Sequence, residues 1–247
     1  MSDTRMVGEM GNGSLKTSGT HFGFVAGVVS DTRSDARPDS IGLIEVAGVA
    51  RVIDGDTLEI HGTRIRLEGI DAPEKAQTCE GTKGAAVAKI WPCGLAAIRR
   101  LEDLAQGKSV TCRGRERDAY GRLIGFCASE DVDLNATMIR DGLAWAFVKY
   151  SNTYVAAEGK ARARGAGVWQ GPADPPWVWR EARWKRAETA APEGCAIKGN
   201  ISQSGRIYHV PWGASYDRVR VDVARGERWF CSEADALAAG WRPPANR

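Results

Sequence analysis

The stretch Val49–Glu74, VARVIDGDTLEIHGTRIRLEGIDAPE, decides how this chain is read. Val49–Ile53 is β-rich, and Asp54-Gly55 is a turn dipeptide. Thr57–Ile60 resumes the strand pattern, His61-Gly62 turns the chain again, and Thr63–Leu67 alternates. Successive strand side chains point to opposite faces, so Ile65 and Leu67 share one face while Arg64, Arg66 and Glu68 share the other. Pro73 has no amide donor, so ladder pairing should end near Asp71. The expectation is a three-strand meander that gathers Asp54, Asp56, Asp71 and Glu74 around Arg64 and Arg66.

That gathering suits metal-assisted attack on a phosphodiester. A hard cation such as calcium takes carboxylate and carbonyl oxygens. Asp56 and Asp71 offer carboxylates and Ala72 a backbone carbonyl, while Glu74 is the residue to orient or deprotonate a water. Arg66 is suited to clamp phosphate oxygens, because its planar fork matches them and keeps its proton. The plainer reading is a set of turn acids paired with surface arginines on an ordinary hairpin. A second acidic cluster and a later arginine argue against it.

Three motifs carry a family resemblance: Ile53-Asp54-Gly55-Asp56-Thr57, then Arg66-Leu67-Glu68-Gly69-Ile70-Asp71-Ala72-Pro73-Glu74, and later Asp118-Ala119-Tyr120-Gly121-Arg122. In this order they resemble the staphylococcal-nuclease (thermonuclease) family over roughly Val46 to Gln170. The resemblance implies calcium held by Asp56, Asp71 and the Ala72 carbonyl. It implies phosphate-binding arginines at Arg66 and Arg122, a general base at Glu74, and cleavage at the 5′ oxygen to leave 3′-phosphate ends. It also implies an OB-fold, a five-stranded Greek-key barrel that binds oligonucleotides on one face. The best-known member of the family has Thr at the position of Ala72, a change a backbone ligand tolerates, and Lys at that of Ala119, a change that removes a phosphate contact.

The fold class expected is therefore α+β: a mainly β barrel with about three helices, plus a small C-terminal α/β module. With 247 residues the chain is long enough for one sizeable domain and a small one. At 43% hydrophobic and 26% charged residues it has the composition of a globular protein, and its net charge of +3 announces no polyanion partner. Local charge is more informative. Arg113, Arg115, Arg117 and Arg122 cluster near the proposed site, and Arg180, Arg183, Lys185 and Arg186 follow later. Such clusters bind phosphates or form solvated faces. No apolar run reaches the roughly 18–20 residues a membrane helix needs, so no membrane insertion is expected. Phe22–Val29 is short and carries two glycines, a poor core for a signal peptide.

Six cysteines contain no CxxC. Cys112 and Cys127 fall on two expected strands, where they can face each other. Cys79 and Cys93 can close the loop before the first helix. Such pairs point to an extracytoplasmic, oxidising compartment, periplasmic or secreted; the alternative is buried free thiols.

Residues 1–40 are rich in Gly, Ser, Thr and Asp and read as disordered or processed. The nuclease-like domain is expected over 41–171. Within it, Lys75–Trp91 reads as irregular with a short helix at Ala85–Ile90. Pro92 starts a helix in which Leu95, Ile98, Leu101 and Leu104 form the core face, and Gly107 ends it. Ser109–Arg113 and Leu123–Ala128 read as strands, joined by a polar connection that delivers Arg122 opposite Arg66. Asp133 caps a helix at Leu134–Arg140, Leu143–Tyr150 is a short strand or extended link, and Thr153–Arg164 is a third helix. Tyr120, Tyr150 and Tyr154 are candidates for stacking on a base or sugar.

Residues 172–190 read as a linker rich in Pro, Trp and Arg. Its interleaved Trp177, Trp179 and Trp184 either bind single strands or pack on the barrel. Residues 191–247 read as a small module with strands at Arg206–Val210 and Arg218–Val223 flanking a Pro211–Tyr216 turn, after which Arg228–Cys231 leads into a helix at Glu233–Ala239 capped by Ser232. The module is similar to one attached to some bacterial nucleases of this type. Cys195 and Cys231 are expected as a disulfide in preference to a zinc site with His209, which would lack a fourth ligand.

The functional expectation is a calcium-dependent phosphodiesterase acting on DNA and RNA, single strands preferred, with little sequence specificity because its groups touch phosphate. The first rival is a non-catalytic barrel of the same family that binds nucleic acid or protein. A second is an envelope protein whose C-terminal module and Trp-rich segment do the main work.

Overall fold

The alternation of Thr57–Leu67 is realised as an antiparallel ladder. The computed structural model describes residues 42–81 and 89–244. In it, strand β1 (Ile44–Asp54) pairs with β2 (Thr57–Ile60), and β2 with β3 (Thr63–Leu67). His61 and Gly62, with φ of 49° and 77°, make a two-residue turn with the twist such hairpins need. The segment expected to be disordered, 1–40, lies outside the described residues.

After β3 the chain makes a two-residue strand, β4 (Ile70–Asp71), then β5 (Cys79–Gly81) paired with β6 (Lys89–Trp91). The helix expected at Ala85–Ile90 lies mostly outside the described residues, and Lys89 and Ile90 are strand. Helix α1 (Cys93–Ala105) follows Pro92. Its buried face is Cys93, Ala97, Leu101 and Ala105, four residues apart, while Leu95, Ile98 and Leu104 are only half-buried. The leucine stripe expected as core is thus rotated. Small residues let the helix axis approach the barrel, and the larger ones flank the contact.

Strands β7 (Ser109–Arg117) and β8 (Leu123–Ser129) pair antiparallel, and β7 also pairs with β1. β8 then runs parallel to β3, with Ile65 opposite Leu123 and Arg66 opposite Ile124. This seam closes β3-β2-β1-β7-β8 into a five-stranded mixed barrel, the expected OB-fold architecture. Short β9 (Val132–Asp133) leads into α2 (Leu134–Arg140), where the Asp133 carboxylate accepts from the Ala136 amide as N-cap. β10 (Trp145–Ala146) pairs with β4, and α3 (Val155–Ala163) packs beside α2. Leu58, Ile60, Ile65, Leu67, Leu101 and Leu123 are at most 1% exposed inside the barrel, each worth about 1.5–3 kcal/mol of burial.

The stretch expected as a linker contains helix α4 (Pro176–Ala190), with Pro176 in its first turn. Prolines 172, 175 and 176 masked a helical period: Trp177, Arg180 and Trp184 share one face. Beyond it, β11 (Ile197–Ser202) pairs with β12 (Gly205–His209) and β13 (Arg228–Phe230), and α5 (Glu233–Ala238) follows its Ser232 cap. The strand expected at Arg218–Val223 is not formed; 3-10 turns at Tyr216–Arg218 and Val223–Arg225 take its place. The central strand β11 carries Gly199, where a Cβ would collide with the rings of Phe230 and Trp241. That glycine weakens the strand signal in sequence but admits the aromatic core. The barrel and this sheet cluster as one compact unit.

The disulfides are Cys79–Cys93, Cys112–Cys127 across the β7–β8 ladder, and Cys195–Cys231. The zinc alternative is thereby excluded, and His209 Nε2 instead pairs with Asn200 Oδ1 at 2.9 Å. Three disulfides fit an oxidising compartment. Among the described residues no helix is long and apolar enough to cross a membrane.

Candidate active site

The β2–β3 register sets the first half of the site. Thr57 lies opposite Arg66, which brings the Arg66 guanidinium against Asp56, one residue earlier, with Nη2 to Oδ2 at 3.1 Å. The same Nη2 donates to Asp71 Oδ1 at 2.9 Å. Asp71 is fully buried and fixed by pairing with Trp145. Asp56 is 6% exposed and also accepts from the Thr57 hydroxyl at 2.9 Å. Burial pushes the Asp56 carboxyl up, but Arg66, Arg122, Thr57 and Arg180 outweigh it and hold it below the ordinary range.

Glu74 is positioned by the loop after β4. Its carbonyl accepts from the Gln77 amide and its amide donates to Gln77 Oε1. Gln77 is 1% exposed and also donates to the Asp174 carbonyl at 2.8 Å. Gly94 brings the first turn of α1 onto the Glu74 backbone, with no space for a side chain. Burial raises the Glu74 carboxyl against the pull of Arg180, and Asp56 and Asp71 raise it further. Asp54, at the end of β1, is raised well above the usual carboxylate range by burial and then by Glu74 and Asp56. Four acids therefore share one electrostatic environment.

Arg122 reaches the same cleft from the other side of the barrel seam. Asp118 holds it, accepting from Nε and Nη2, each at 2.7 Å, and from the Arg122 amide at 3.0 Å. The cleft is lined by Asp54, Asp56, Arg66, Ala72, Glu74, Tyr120 and Arg122, and by Trp212 and Pro243 from the C-terminal module. Of the tyrosines, Tyr120 is 42% and Tyr150 68% exposed, and both border the adjoining groove. Tyr154 is 4% exposed within the barrel core, so its expected role in stacking on a nucleotide is corrected to packing.

Sequence reading missed two contributors. Arg180 of α4 donates from Nη2 to Asp71 Oδ2 at 2.6 Å, and from Nη1 to Asp71 Oδ1 at 3.2 Å and Glu74 Oε1 at 2.8 Å. Trp212 forms part of the cleft wall. Arg180 lay in a recognised basic cluster, but nothing in its spacing tied it to acids more than a hundred residues earlier. The sequence groups Asp54 with the other acids and assigns it no role.

These carboxylates and the Ala72 carbonyl are oxygen donors of the kind a hard cation takes. Among the described residues no three His, Cys, Asp or Glu side chains form a metal-holding cluster by themselves. The set here is two carboxylates and a carbonyl, with guanidinium groups between the acids. Burial first, and neighbouring carboxylates after it, raise Asp54 and Glu74, and a bound cation would favour their charged forms. The donor chemistry therefore fits.

Comparison with known proteins agrees with this arrangement. Residues 64–171 match the staphylococcal nuclease homologue family. A relative named an uncharacterized endonuclease, from Escherichia coli O157:H7, is 35% identical over 144 residues, 55% of this chain and 84% of its own length. The chain belongs to the staphylococcal nuclease family. A micrococcal nuclease of Shigella flexneri is 32% identical over 152 residues, covering 54% of this chain and 79% of the relative. A probable staphylococcal-like nuclease of Oryza sativa subsp. japonica is 33% identical over 130 residues, 51% of this chain and 34% of that protein. Residues 180–243 match a second family, ArfC. These likenesses support nuclease activity, the hydrolysis of nucleic-acid ester bonds.

Proposed function

We propose that this protein is a calcium-dependent nuclease that hydrolyses phosphodiester bonds of DNA and RNA, single strands preferred, with little sequence specificity. One observation carries the reading: Asp56, Arg66, Glu74 and Arg122 line a single cleft, with Asp71 ion-paired to Arg66 behind it. Asp56, Asp71 and the Ala72 carbonyl would hold the ion. When bound it supplies Lewis-acid polarisation of phosphate and water.

Glu74 faces the cleft and accepts the proton of the attacking water, as a carboxyl raised by burial suits a general base. Arg66 and Arg122 donate to the phosphate oxygens and offset the charge that builds in the pentacoordinate transition state. Both are held by carboxylates in advance, so little reorganisation is needed when substrate arrives. Tyr120 and Tyr150 border the groove where flanking nucleotides would stack. All these groups meet phosphate, sugar or a π-face, which carry no sequence information. Family likeness adds cleavage at the 5′ oxygen. The three disulfides support work in a periplasmic or secreted setting.

The test is cleavage of single-stranded DNA with calcium or with chelator, beside Arg66→Ala and Glu74→Ala variants. Cutting only with calcium, and its collapse in both variants, is the expected result. Cutting that ignores chelator, or survives in both variants, overturns the assignment. Binding without cutting in the native protein favours the non-catalytic rival.

A further inference from the structure

Arg180 takes no part in the proposed reaction, yet it donates three hydrogen bonds to the acids of the cleft. It comes from α4, beyond the matched nuclease segment and at the start of the ArfC match. Its fork spans both oxygens of Asp71 and one of Glu74. Arg66 takes Asp71 Oδ1 from the other side, so both oxygens of this fully buried carboxylate receive guanidinium donors.

A calcium ion binds carboxylate oxygen at roughly 2.3–2.6 Å. On Asp71 Oδ2 it would stand beside the Arg180 Nη2 that occupies the same oxygen. Two cations so close, on a fully buried carboxylate, repel strongly. We propose that Arg180 is the resident counter-cation of the nuclease site, and that it and a divalent ion occupy Asp71 in alternation. The C-terminal extension thereby sets the site's affinity for its metal. The inference rests on the reading that Asp71 is a metal ligand.

Exchange needs only the side chain to move. The helix is anchored on both sides of Arg180. Trp177 stacks on Phe147 with ring centroids 5.5 Å apart. Arg183 donates to the Pro211 carbonyl at 2.9 Å and to Asp217 at 3.0 Å, and Trp184 packs against Trp212. The adjoining groove, bordered by Glu74, Arg180 and Trp212, gives the displaced guanidinium somewhere to go. Coupling between two ligands of one site is reciprocal, so whatever Arg180 takes from metal affinity, metal takes from the Arg180 pairing.

The experiment measures calcium binding to the full chain by isothermal titration, without substrate, for the native protein, Arg180→Gln, Arg180→Lys and Asp71→Asn. Removing the fork should tighten binding about tenfold or more in Arg180→Gln, within the usual range for coupled sites. Arg180→Lys, which keeps the charge but loses the fork, should fall between. In chelator Arg180→Gln should melt below the native protein, and calcium should raise its melting temperature by the larger amount. Should Arg180→Gln fail to fold, Arg180→Lys carries the test, with tighter binding than native expected. Equal or weaker calcium binding in the folded variants overturns the proposal alone. No calcium binding by any form, with Asp71→Asn cutting normally, overturns the metal reading and the proposal with it.

Discussion

The barrel and the C-terminal module solve the same problem at different scales. The barrel closes on itself through the β3–β8 pairing and buries a continuous aliphatic core. The module is a three-stranded sheet with one short helix. Its core is essentially Ile197, Tyr208, Val210, Phe230, Ala236 and Trp241, with Trp184 of α4 and Trp212 laid against it. A sheet that small needs outside support. It has the Cys195–Cys231 bridge and α4, which also grips the barrel. The lesson is that the barrel positions its functional groups by ladder register, whereas the module reaches the site by docking. Glu233 marks that docking: it accepts from Tyr120 of the barrel at 3.0 Å and from Tyr208 of the module at 2.8 Å.

The contrast breaks if the module carries the chemistry. Arg66→Ala, a barrel change, should therefore have the largest effect, lowering the turnover number on single-stranded DNA by roughly 10²–10³. Circular dichroism should show the fold retained. A variant that cuts at the native rate would remove the barrel from its role.

Next in size is the bridge that supports the smaller sheet. Replacing Cys195 and Cys231 by Ser should cost the module about 2–4 kcal/mol. Hydrogen exchange should then rise across Ile197–Ser202 while β7 and β8 keep their protection. Uniform loss of protection in both regions would mean that they unfold as one cooperative body.

How far the sequence alone revealed all this follows from the same contrast. Thr63–Leu67 alternates, so its strand, the buried face of Ile65 and Leu67, and the opposite face that carries Arg66 are readable by period alone. Asp133 announced its helix through local capping chemistry. The module's strands were harder. Gly199 interrupts β11 for the sake of two aromatic rings, and the β-branched Val219 and Val221 lie in an irregular stretch between two 3-10 turns. Tyr154 looked like its neighbour Tyr150, and only the packing over Gly69 separates a core ring from an exposed one. Arg180 was illegible for a different reason: its partners are set by docking, which leaves no trace in local spacing.

A smaller effect sharpens the comparison at the cleft wall. If the module contributes grip and not chemistry, Trp212→Ala should raise KM for single-stranded DNA, equivalent to about 1–3 kcal/mol of stacking. The turnover number should stay within about twofold. A fall in turnover with KM unchanged would count against that division. The smallest change is Asp133→Ala, which removes the α2 cap and should lower barrel stability by about 1 kcal/mol in urea unfolding. The activity per folded molecule should be unaltered.

The parallel seam between β3 and β8 has a consequence for accuracy. Arg66 faces Ile124 across it, and Arg122 immediately precedes Leu123, the first residue of the adjoining strand. The gap between the two guanidinium groups is thus set by the seam, whose strands lie about 4.8 Å apart, together with the Asp118 contacts that hold Arg122 at its end. A one-step slip of that seam would turn the side chains of the shifted strand to its other face and break the match between Arg66 and Arg122. Any stress that unzips these two strands should therefore silence the molecule while most of its interior is still dry.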